Sequence, residues 1–394
     1  MPRRVTASRS EPPPATPFYF GFIVAGMATV LLGPILPILS ARWLLTDLQA
    51  GSLFAAQFAA STVGAVLASH FRHRCVVFGY ASIAAGLAAL ALGSYGVVLL
   101  AFALLGIGLG SATTATNLIF GTKQPTQRGT LLTRVNFFWG IGAVLGPQLV
   151  AVADRTGMIR LLVLGLSLSA LAVFAVFIPL LRFRESRQQT EQEHSGVAEK
   201  PDLPTFVLFS LLLFLYVGGE TAIFGWIATY AHRFANLSPA QSSSFVSVFW
   251  LAIVLGRAIL PLLFRFISEL TVLIAGVVAA LIGVSILLFP HSAAISLASV
   301  AFAGLGCAPV FPLATARLLA RIGDSRHAGW IFAICGSGAA VLPWMTGLLS
   351  AHTGSLRAAF IVPLAAMAGV LLLVFVESML PLPHSGKNAS AVSC

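Results

Sequence analysis

Charge is what this sequence has least of. Only 9% of its 394 residues are charged, whereas ordinary soluble domains carry roughly 25%. Hydrophobic residues make up 58% of the chain, and the mean hydropathy is +0.95. A soluble core does not need this much apolar surface, but a lipid bilayer requires apolar runs of about 20 residues. The composition therefore excludes an ordinary soluble domain and predicts a polytopic, all-α membrane protein.

Cysteine is also scarce, and the familiar catalytic motifs are missing. The four cysteines, Cys75, Cys307, Cys335 and Cys394, form no CxxC or metal-ligand spacing, so we expect neither a disulfide framework nor a metal site. The sequence contains no HExxH and no GxxxxGK[ST], which argues against a zinc hydrolase and against ATP-driven transport. We therefore predict a protein that is not an enzyme and that holds no cofactor.

Apolar runs punctuated by polar loops predict twelve membrane spans. Their predicted limits are 18–40, 50–69, 75–94, 96–120, 132–153, 160–181, 204–231, 241–265, 270–289, 292–320, 328–350 and 357–380. The longest polar stretch separates the sixth span from the seventh. We predict an N-terminal tail at 1–17, a six-helix bundle at 18–181, a cytosolic linker at 182–203, a second six-helix bundle at 204–380 and a C-terminal tail at 381–394.

The basic residues predict the orientation. With both termini in the cytosol, 17 Lys and Arg residues lie on the cytosolic side and 5 on the opposite side, with Arg257 inside the eighth span. Basic residues concentrate in cytosolic loops, so both termini are expected to be cytosolic in a cytoplasmic (inner) membrane. The same dispersed placement explains the net charge of +11 without a clustered basic face, so no nucleic-acid partner is predicted.

The two halves of the chain share a glycine pattern. Gly108 and Gly110 recur as Gly304 and Gly306, and the run Gly140-x-Gly142 before Pro147 recurs as Gly336-x-Gly338 before Pro343. Each pair is separated by 196 residues. Parallel repeats of this kind predict two pseudo-symmetric bundles with a substrate site between them, as in major facilitator transporters.

Glu220 is the one acidic residue predicted at mid-depth in a span, within YVGGETAIFGW. A charge at the bilayer centre costs roughly 2.5–3.5 kcal/mol on insertion scales, so such residues commonly border a wet cavity or carry a proton. We predict that Glu220 binds substrate or couples transport to an ion. A packing carboxylate bonded to a neighbouring helix is the alternative.

Other polar and aromatic side chains inside the spans complete the candidate site. Amides offer both donors and acceptors, which suits hydroxyl-rich ligands, and an aromatic face can stack on the C–H face of a sugar ring; helix–helix hydrogen bonding and ordinary packing are the alternatives. Arg257 is predicted to snorkel or pair at the cytosolic gate. The remaining candidates for substrate binding are Asn117, Asn136, Gln57, Gln148, Trp139 and Trp226.

Several of these stretches resemble one family. YVGGETAIFGWIATY in span 7 resembles the corresponding helix of the fucose:proton symporters of the major facilitator superfamily, a family that includes the vertebrate sodium-dependent glucose transporter 1 type. FFWGIGAVLGP and FWLAIVLGRAILPLLFRF resemble its fifth and eighth helices. The resemblance implies a major facilitator fold of twelve transmembrane helices in two bundles, and a sugar as the small-molecule substrate.

The sequence departs from that family at the acids that couple protons. The symporters pair an acid in helix 1 with one in helix 4, but span 1 here has no acid. Thr113 stands where the helix 4 glutamate is expected, and Asn117 matches the neighbouring asparagine. Three alternatives remain open: Glu220 acts as the coupling group, sodium is the coupling ion, or transport is facilitated only.

We therefore predict a transporter that moves a small neutral polar solute, most simply a monosaccharide, by alternating access, with H+ or Na+ as coupling ion. The chain is expected to act as a monomer among membrane lipids. A major facilitator carrier that exports lipophilic or multidrug compounds is the alternative, because a phenylalanine-lined cavity with one carboxylate suits cationic drugs. A non-transporting sensor that docks a partner on the linker is a rival from a different functional class.

Overall fold

The computed structural model describes residues 16–91, 93–121, 125–182, 203–290, 292–322 and 326–380. The predicted tails and the predicted linker fall almost entirely outside these ranges. The helices are α1 (Thr16–Val30), α2 (Leu32–Trp43), α3 (Asp47–His70), α4 (Arg72–Leu90), α5 (Tyr95–Gly121), α6 (Pro125–Arg155), α7 (Ile159–Phe177), α8 (Leu203–Phe234), α9 (Pro239–Leu263), α10 (Glu269–Leu287), α11 (Ala293–Cys307), α12 (Val310–Ile322), α13 (Arg326–Thr353), α14 (Leu356–Ala359) and α15 (Ile361–Met379).

The described residues contain eleven helical stretches long and apolar enough to cross a membrane, and twelve if the bent pair α1–α2 forms one span. This confirms the all-α fold with twelve predicted spans. The bend of 42° between α1 and α2 follows from Pro34, which has no N–H to donate to the carbonyl of Val30. One predicted span, 292–320, is interrupted: α11 ends at Cys307 and α12 begins at Val310.

The helices form two groups, one from each half of the chain. In the first half α5 packs against α3 and α4, α6 packs against α1, and α7 packs against α4. In the second half α8 packs against α13 and α15, and α11 packs against α9 and α10. The two groups meet where α3 contacts α13, where α6 contacts α9 and where α2 contacts α8. This arrangement agrees with the predicted pair of bundles.

The glycine repeat has a packing cause. A Cβ on Gly142 would collide with the backbone of Ile23 in α1, and a Cβ on Gly338 would collide with the backbone of Phe214 in α8. Gly140 approaches Val254 of α9, and Gly336 approaches Thr62 of α3. These glycines therefore let equivalent helices of the two halves approach closely, as predicted.

The predicted pairing of Gly108 with Gly304 is wrong in register. Gly108 abuts Gly79 of α4, whereas Gly304 abuts Phe249 of α9. The residue that matches Gly108 is Gly306, which abuts Gly276 of α10. A glycine is needed wherever a neighbouring backbone comes close, so equivalent glycines are those that meet equivalent helices. The constant sequence offset of 196 residues instead paired Gly108 with Gly304, two residues before its structural equivalent.

The first turns of α3 and α9 repeat as well. Thr46 and Ser238 each accept a hydrogen bond from the backbone of a glutamine three residues later, Gln49 and Gln241. Each glutamine side chain in turn accepts from the backbone N–H of its cap residue. Such capping boxes satisfy backbone donors that a helix start leaves free. Both boxes lie at the end of the molecule that carries Asp47, called here the Asp47 end.

The two glycines before Glu220 explain how α8 can pack so tightly. A Cβ on Gly218 would lie 2.6 Å from the carbonyl oxygen of Gly338 in α13, and a Cβ on Gly219 would lie 2.8 Å from Met367 in α15. Small residues at these positions let helix backbones come together in lipid. Glu220 is therefore held between close-packed helices near the middle of α8.

Candidate functional site

Glu220 is the centre of a polar network inside the second half. Its side chain is only 8% exposed. The hydroxyl oxygen of Tyr216, one helical turn earlier on the same face of α8, lies 2.6 Å from Glu220 Oε1. The same hydroxyl oxygen lies 2.8 Å from the backbone carbonyl oxygen of Cys307. Tyr216 therefore links the carboxyl group of Glu220 to the break between α11 and α12.

The break itself supplies the free carbonyl groups. Proline has no backbone N–H, so Pro309 and Pro312 remove two of the helical hydrogen bonds that would continue α11 into α12. The carbonyl of Ala308 is the group that residue 312 would otherwise bind in an α-helix. It accepts instead from Arg257 Nε of α9, at 3.4 Å. Side chains from α8 and α9 therefore bind two carbonyls at the break, Tyr216 that of Cys307 and Arg257 that of Ala308, and only the second is left open by a proline.

Arg257 is the cation of this network. Its side chain is exposed, and it lies within electrostatic range of Glu220 and Cys307. Cys335 of α13 is also within electrostatic range of Glu220. We call Glu220, Tyr216, Arg257 and the carbonyls of Cys307 and Ala308 the Glu220 network. The predicted gating role of Arg257 remains a prediction, now with a specific contact at the helix break.

A second cluster lies where the two halves meet. Trp139 of α6 packs edge-on against Trp250 of α9, with ring centroids 5.0 Å apart, and Phe224 of α8 packs against Trp250 at 5.3 Å. Trp250 is 4% exposed, and its indole Nε1 has no hydrogen-bond partner. Buried Trp N–H groups usually find a partner. We call these three rings the Trp250 cluster, and its indole N–H is a buried donor without a partner in the described residues.

The predicted aromatic residues differ in their environment. Trp139 is partly exposed within the Trp250 cluster. Trp226 is fully buried, its Nε1 donates to the carbonyl of Pro343 at 2.9 Å, and its ring contacts Phe54. Trp226 thus joins α8, α13 and α3 and has no open face for a solute in this conformation.

The predicted polar residues of the first half split into two kinds. Gln57 is fully buried, and its Nε2 donates to the carbonyl of Thr29 at 3.0 Å while its Oε1 has no partner. On α5, Asn117 is half-buried with its Oδ1 unpartnered. Thr113, one turn earlier, donates to the carbonyl of Leu109 at 2.6 Å. Gln57 and Asn117 therefore each have one buried acceptor atom without a partner in the described residues.

The other two amides lie on exposed surfaces of α6. Asn136 Nδ2 donates to the carbonyl of Leu132 at 2.8 Å, so the amide is bonded within its own helix. Gln148 is exposed beside Leu145, Leu149 and Val152, which are exposed too. Neither amide is bonded to the Glu220 network in the described residues. Their roles as substrate ligands remain predictions.

Sequence reasoning missed the contacts that join the two halves at the Asp47 end. Arg233 at the end of α8 forms a two-pronged ion pair with Asp47 at the start of α3, with Nη1 2.8 Å from Oδ2. Ser350 of α13 donates to the same Oδ2 at 2.5 Å. Nearby, Ser243 of α9 donates to the carbonyl of Pro34. The Asp47 end is therefore held closed by polar contacts between the halves.

Next to this contact is a cavity of about 420 Å³ between α2 and α8. Its lining includes Ser40, Thr229, His232 and Arg233. Thr229 is buried, and its Oγ1 has no partner. The cavity has a mixed polar and apolar lining and is bordered by Arg233 of the closed contact.

Comparison with known proteins agrees with this geometry. Residues 18–328 match the Major Facilitator Superfamily. A Helicobacter pylori protein named as a candidate glucose/galactose transporter is 26% identical over 380 residues, which cover 87% of this chain and 91% of that protein. The sequence similarity is low but spans nearly the full length of both chains.

Solved structures share the fold. A bacterial homologue of the human lysosomal transporter Spinster, in an inward-facing and occupied conformation, has a TM-score of 0.72 at 14% identity and covers 92% of this chain and 96% of its own. A D-xylose–proton symporter has a TM-score of 0.72 at 14% identity, covering 93% and 97%. The outward conformation of the fucose:proton symporter has a TM-score of 0.61 at 17% identity, covering 93% and 99%.

The family match spans most of the chain, and the helices it covers are those that carry the Glu220 network, the Trp250 cluster and the closed Asp47 end. With the bent pair α1–α2 taken as one span, ten of the twelve apolar stretches of the described residues begin before the match ends at residue 328. The chain is a multi-pass membrane transporter rather than an enzyme, and it belongs to the Major Facilitator Superfamily.

Proposed function

We propose that this transporter moves a monosaccharide, or a neutral solute of similar polarity, across the cytoplasmic membrane by alternating access. The observation that carries the proposal is a pair of unpartnered polar atoms in the two halves, Asn117 Oδ1 and Trp250 Nε1. One is an acceptor and the other a donor, and neither carries a charge. A solute with several hydroxyl groups can satisfy both kinds of group, because a hydroxyl donates and accepts.

The comparisons support the substrate class. The Helicobacter pylori relative carries glucose and galactose in its name, and two of the solved structures are symporters of xylose and fucose. The Trp250 cluster supplies aromatic surface where α6 of the first half meets α9 of the second, and a sugar ring can pack on such a surface. For transport, the solute has to bind with similar free energy in both conformations, because a ligand that strongly prefers one state would hold the protein there.

Glu220 is the proposed coupling group, with H+ as the coupling ion and Na+ as the alternative. It is a carboxyl group near the middle of α8, next to a helix break whose carbonyls are bound by side chains. Such breaks are where secondary transporters bind coupling ions. The solved proton symporters are consistent with H+. The excess of basic residues, 17 against 5, places both termini in the cytosol under this proposal.

The test is uptake of radiolabelled glucose, galactose, fucose and xylose into proteoliposomes that contain the purified protein. Uptake is measured with a proton gradient, with a sodium gradient and with neither, and unlabelled sugars serve as competitors. Liposomes without protein are the control. Saturable uptake of one sugar that a proton gradient accelerates supports the proposal. Absence of sugar binding and uptake under all three conditions would overturn it.

Export of lipophilic compounds is the second candidate. An apolar groove of about 290 Å³ runs between α9, α10 and α11, and Leu260, Val272 and Pro309 are among its lining residues. A groove of this kind is suited to a hydrophobic molecule that enters from the bilayer. Quenching of tryptophan fluorescence by lipophilic cations, together with no response to any sugar, would favour this candidate.

A further inference from the structure

The contacts of Tyr216 reveal more than a packing role. Its hydroxyl oxygen lies 2.6 Å from Glu220 Oε1 and 2.8 Å from the carbonyl oxygen of Cys307, and both distances are those of hydrogen bonds. A phenol hydroxyl has one proton and can donate it to only one acceptor at a time. A carbonyl oxygen has no proton to give. If Glu220 were ionised, its carboxylate and the carbonyl of Cys307 would both be acceptors, and one of the two short contacts of the Tyr216 hydroxyl would have no proton.

The arrangement is complete when Glu220 carries a proton. The carboxyl O–H then donates to the hydroxyl oxygen of Tyr216, and the Tyr216 O–H donates to the carbonyl of Cys307. Every short contact then has one proton, and hydrogen bonds in such a chain strengthen one another. Because Tyr216 is fully buried, leaving either contact without a proton would be costly.

Loss of the proton rearranges the same groups. An ionised Glu220 is a stronger acceptor than a backbone carbonyl, so it takes the Tyr216 hydroxyl away from Cys307. Arg257, which now donates to the carbonyl of Ala308 at 3.4 Å, is within electrostatic range of Glu220 and is drawn towards the negative charge. Both carbonyls at the break between α11 and α12 then lose their side-chain donors. The carboxyl O–H bond breaks, its proton passes to water, and no other covalent bond changes.

The charged and titratable groups around Glu220 come from α8 and from three helices that pack against it. Tyr216 lies on α8 itself, Arg257 on α9, Cys307 on α11 and Cys335 on α13. Among the described residues, the remaining packed helices, α2, α12 and α15, carry their charges in their last two turns, at Arg42, Arg317, Arg321 and Glu377. Arg317 and Arg321 are bound to Glu377.

We propose that Tyr216 is a proton-dependent link between α8 and the α11–α12 break, closed when Glu220 is protonated and released when Glu220 is ionised. Tyr216 is a positioning residue in this scheme, because it acts on the helix break through its hydrogen bond. The inference deepens the coupling role proposed for Glu220 and rests on it. The link explains how a proton changes the geometry of α11, the helix that packs on both α9 and α10.

The native thiol of Cys307 reports on the link, because its own carbonyl is the acceptor. The reporter protein is the full chain with Cys75→Ser, Cys335→Ser and Cys394→Ser, reconstituted in lipid nanodiscs without sugar. The rate of alkylation by a small membrane-permeant maleimide is measured from acidic to mildly alkaline pH. Glu220→Gln is the matched variant, because a neutral amide can donate to Tyr216 and keeps the link closed at every pH.

The measured quantity is the alkylation rate of the protein with Glu220 divided by that of the Glu220→Gln protein. We expect this ratio to rise about fivefold as pH increases, because the loss of one hydrogen bond of ordinary strength corresponds to about that factor. The intrinsic ionisation of the thiol with pH is shared by both proteins, so the ratio leaves only the effects of the Glu220 charge and of the link. A negative carboxylate nearby disfavours a thiolate, so the charge of Glu220 alone would lower the ratio. A rise therefore reports release of the link.

Tyr216→Phe in the same background separates the link from general loosening. It should react at the faster, released rate already at acidic pH, so its ratio to the Glu220→Gln protein should not rise as pH increases. A pH-independent ratio for the Glu220 protein would overturn the proposal. The assay needs no solute, so a rising ratio in a protein that takes up no sugar would retain the link and reject the sugar. Proton-driven sugar uptake together with a constant ratio of alkylation rates would support the sugar as substrate and reject the link.

Discussion

Arg233 and Asp47 join the two halves of the transporter, with Arg233 Nη1 2.8 Å from Asp47 Oδ2 and the second nitrogen bound to Oδ1. The residues are 186 positions apart in the sequence. Two-pronged arginine–carboxylate pairs combine strength with a fixed orientation. Alternating access requires the halves to separate at each end in turn, so this contact has to break when the Asp47 end opens.

Removing the charge of Asp47 should favour opening of that end. Asp47→Asn keeps the size of the side chain but loses the ion pair. At a partly exposed site such a pair stabilises the closed state by about 1 kcal/mol, so its loss raises the open population by a factor of about five. Thr229 is buried beside this contact, so Thr229→Cys reports opening through its labelling rate by a membrane-impermeant maleimide. We expect labelling about fivefold faster in the Asp47→Asn background.

Two controls test that expectation. Asp154→Asn removes a carboxylate near the end of α6, outside this contact, and should leave labelling unchanged. The exchange of both residues, Asp47→Arg with Arg233→Asp, should restore the slow rate because the pair forms in the opposite sense. Equal labelling in all four proteins would show that the pair does not hold the end closed.

Glu220→Gln should abolish the pH dependence of uptake while the protein stays folded and continues to bind solute. The amide cannot release a proton at physiological pH, so a coupled cycle loses its response to a proton gradient. Initial uptake rates across a pH series, with and without the gradient, measure the effect. Glu269→Gln, which neutralises an exposed glutamate at the start of α10, is the matched control. An unaltered pH profile in the Glu220 variant would assign the residue a packing role.

Trp250→Phe should weaken solute binding without loosening the contact between the halves. Phenylalanine keeps an aromatic ring against Trp139 and Phe224 but removes the unpartnered N–H. Loss of one neutral hydrogen bond predicts an increase in KM of about threefold to tenfold. Trp330→Phe, at an exposed position on α13, is the control. If KM is unchanged in Trp250→Phe, the indole N–H does not contact the solute.

Glu377→Gln should destabilise the second half. Glu377 is 2% exposed and binds Arg317 Nε at 2.7 Å and Arg321 Nε at 2.9 Å, tying α12 to α15. Removing one partner of a buried ion pair costs about 3–5 kcal/mol, because the remaining charges are left uncompensated. The melting temperature of the purified protein in detergent measures the loss, with Glu269→Gln as the exposed counterpart. A melting temperature equal to that of the unmodified protein would contradict this assignment.

Much of the fold could be predicted because a bilayer restricts what a chain can do. Each span has to be a helix of sufficient length, since backbone groups find no water in the membrane, and the apolar runs mark those spans directly. The repeated glycines Gly140, Gly142, Gly336 and Gly338 also predicted correctly that two similar bundles pack in similar ways. The same reasoning failed for Gly108 and Gly304, because a sequence offset does not reveal which helix is the neighbour.

The candidate site was only partly predictable. Glu220 was found because an isolated acid in an apolar run is conspicuous. Tyr216 could have been found from its spacing of four residues, which puts it on the same helix face. Trp226 and Trp250 look alike in the sequence, yet one indole is bonded to Pro343 and the other has no partner. Hydrogen-bond partners from other helices make that difference, and no local pattern encodes them.

The amino-acid sequence by itself determined that this protein is helical, lies in a membrane and carries one acid deep within it, because solvation in lipid acts on each segment separately. Only the tertiary structure decided which groups that acid meets. The Glu220 network needs two helices and a proline break to come together, and the Asp47 contact needs residues 186 and 303 positions away. Contacts between distant segments arise from packing, which depends on all helices at once.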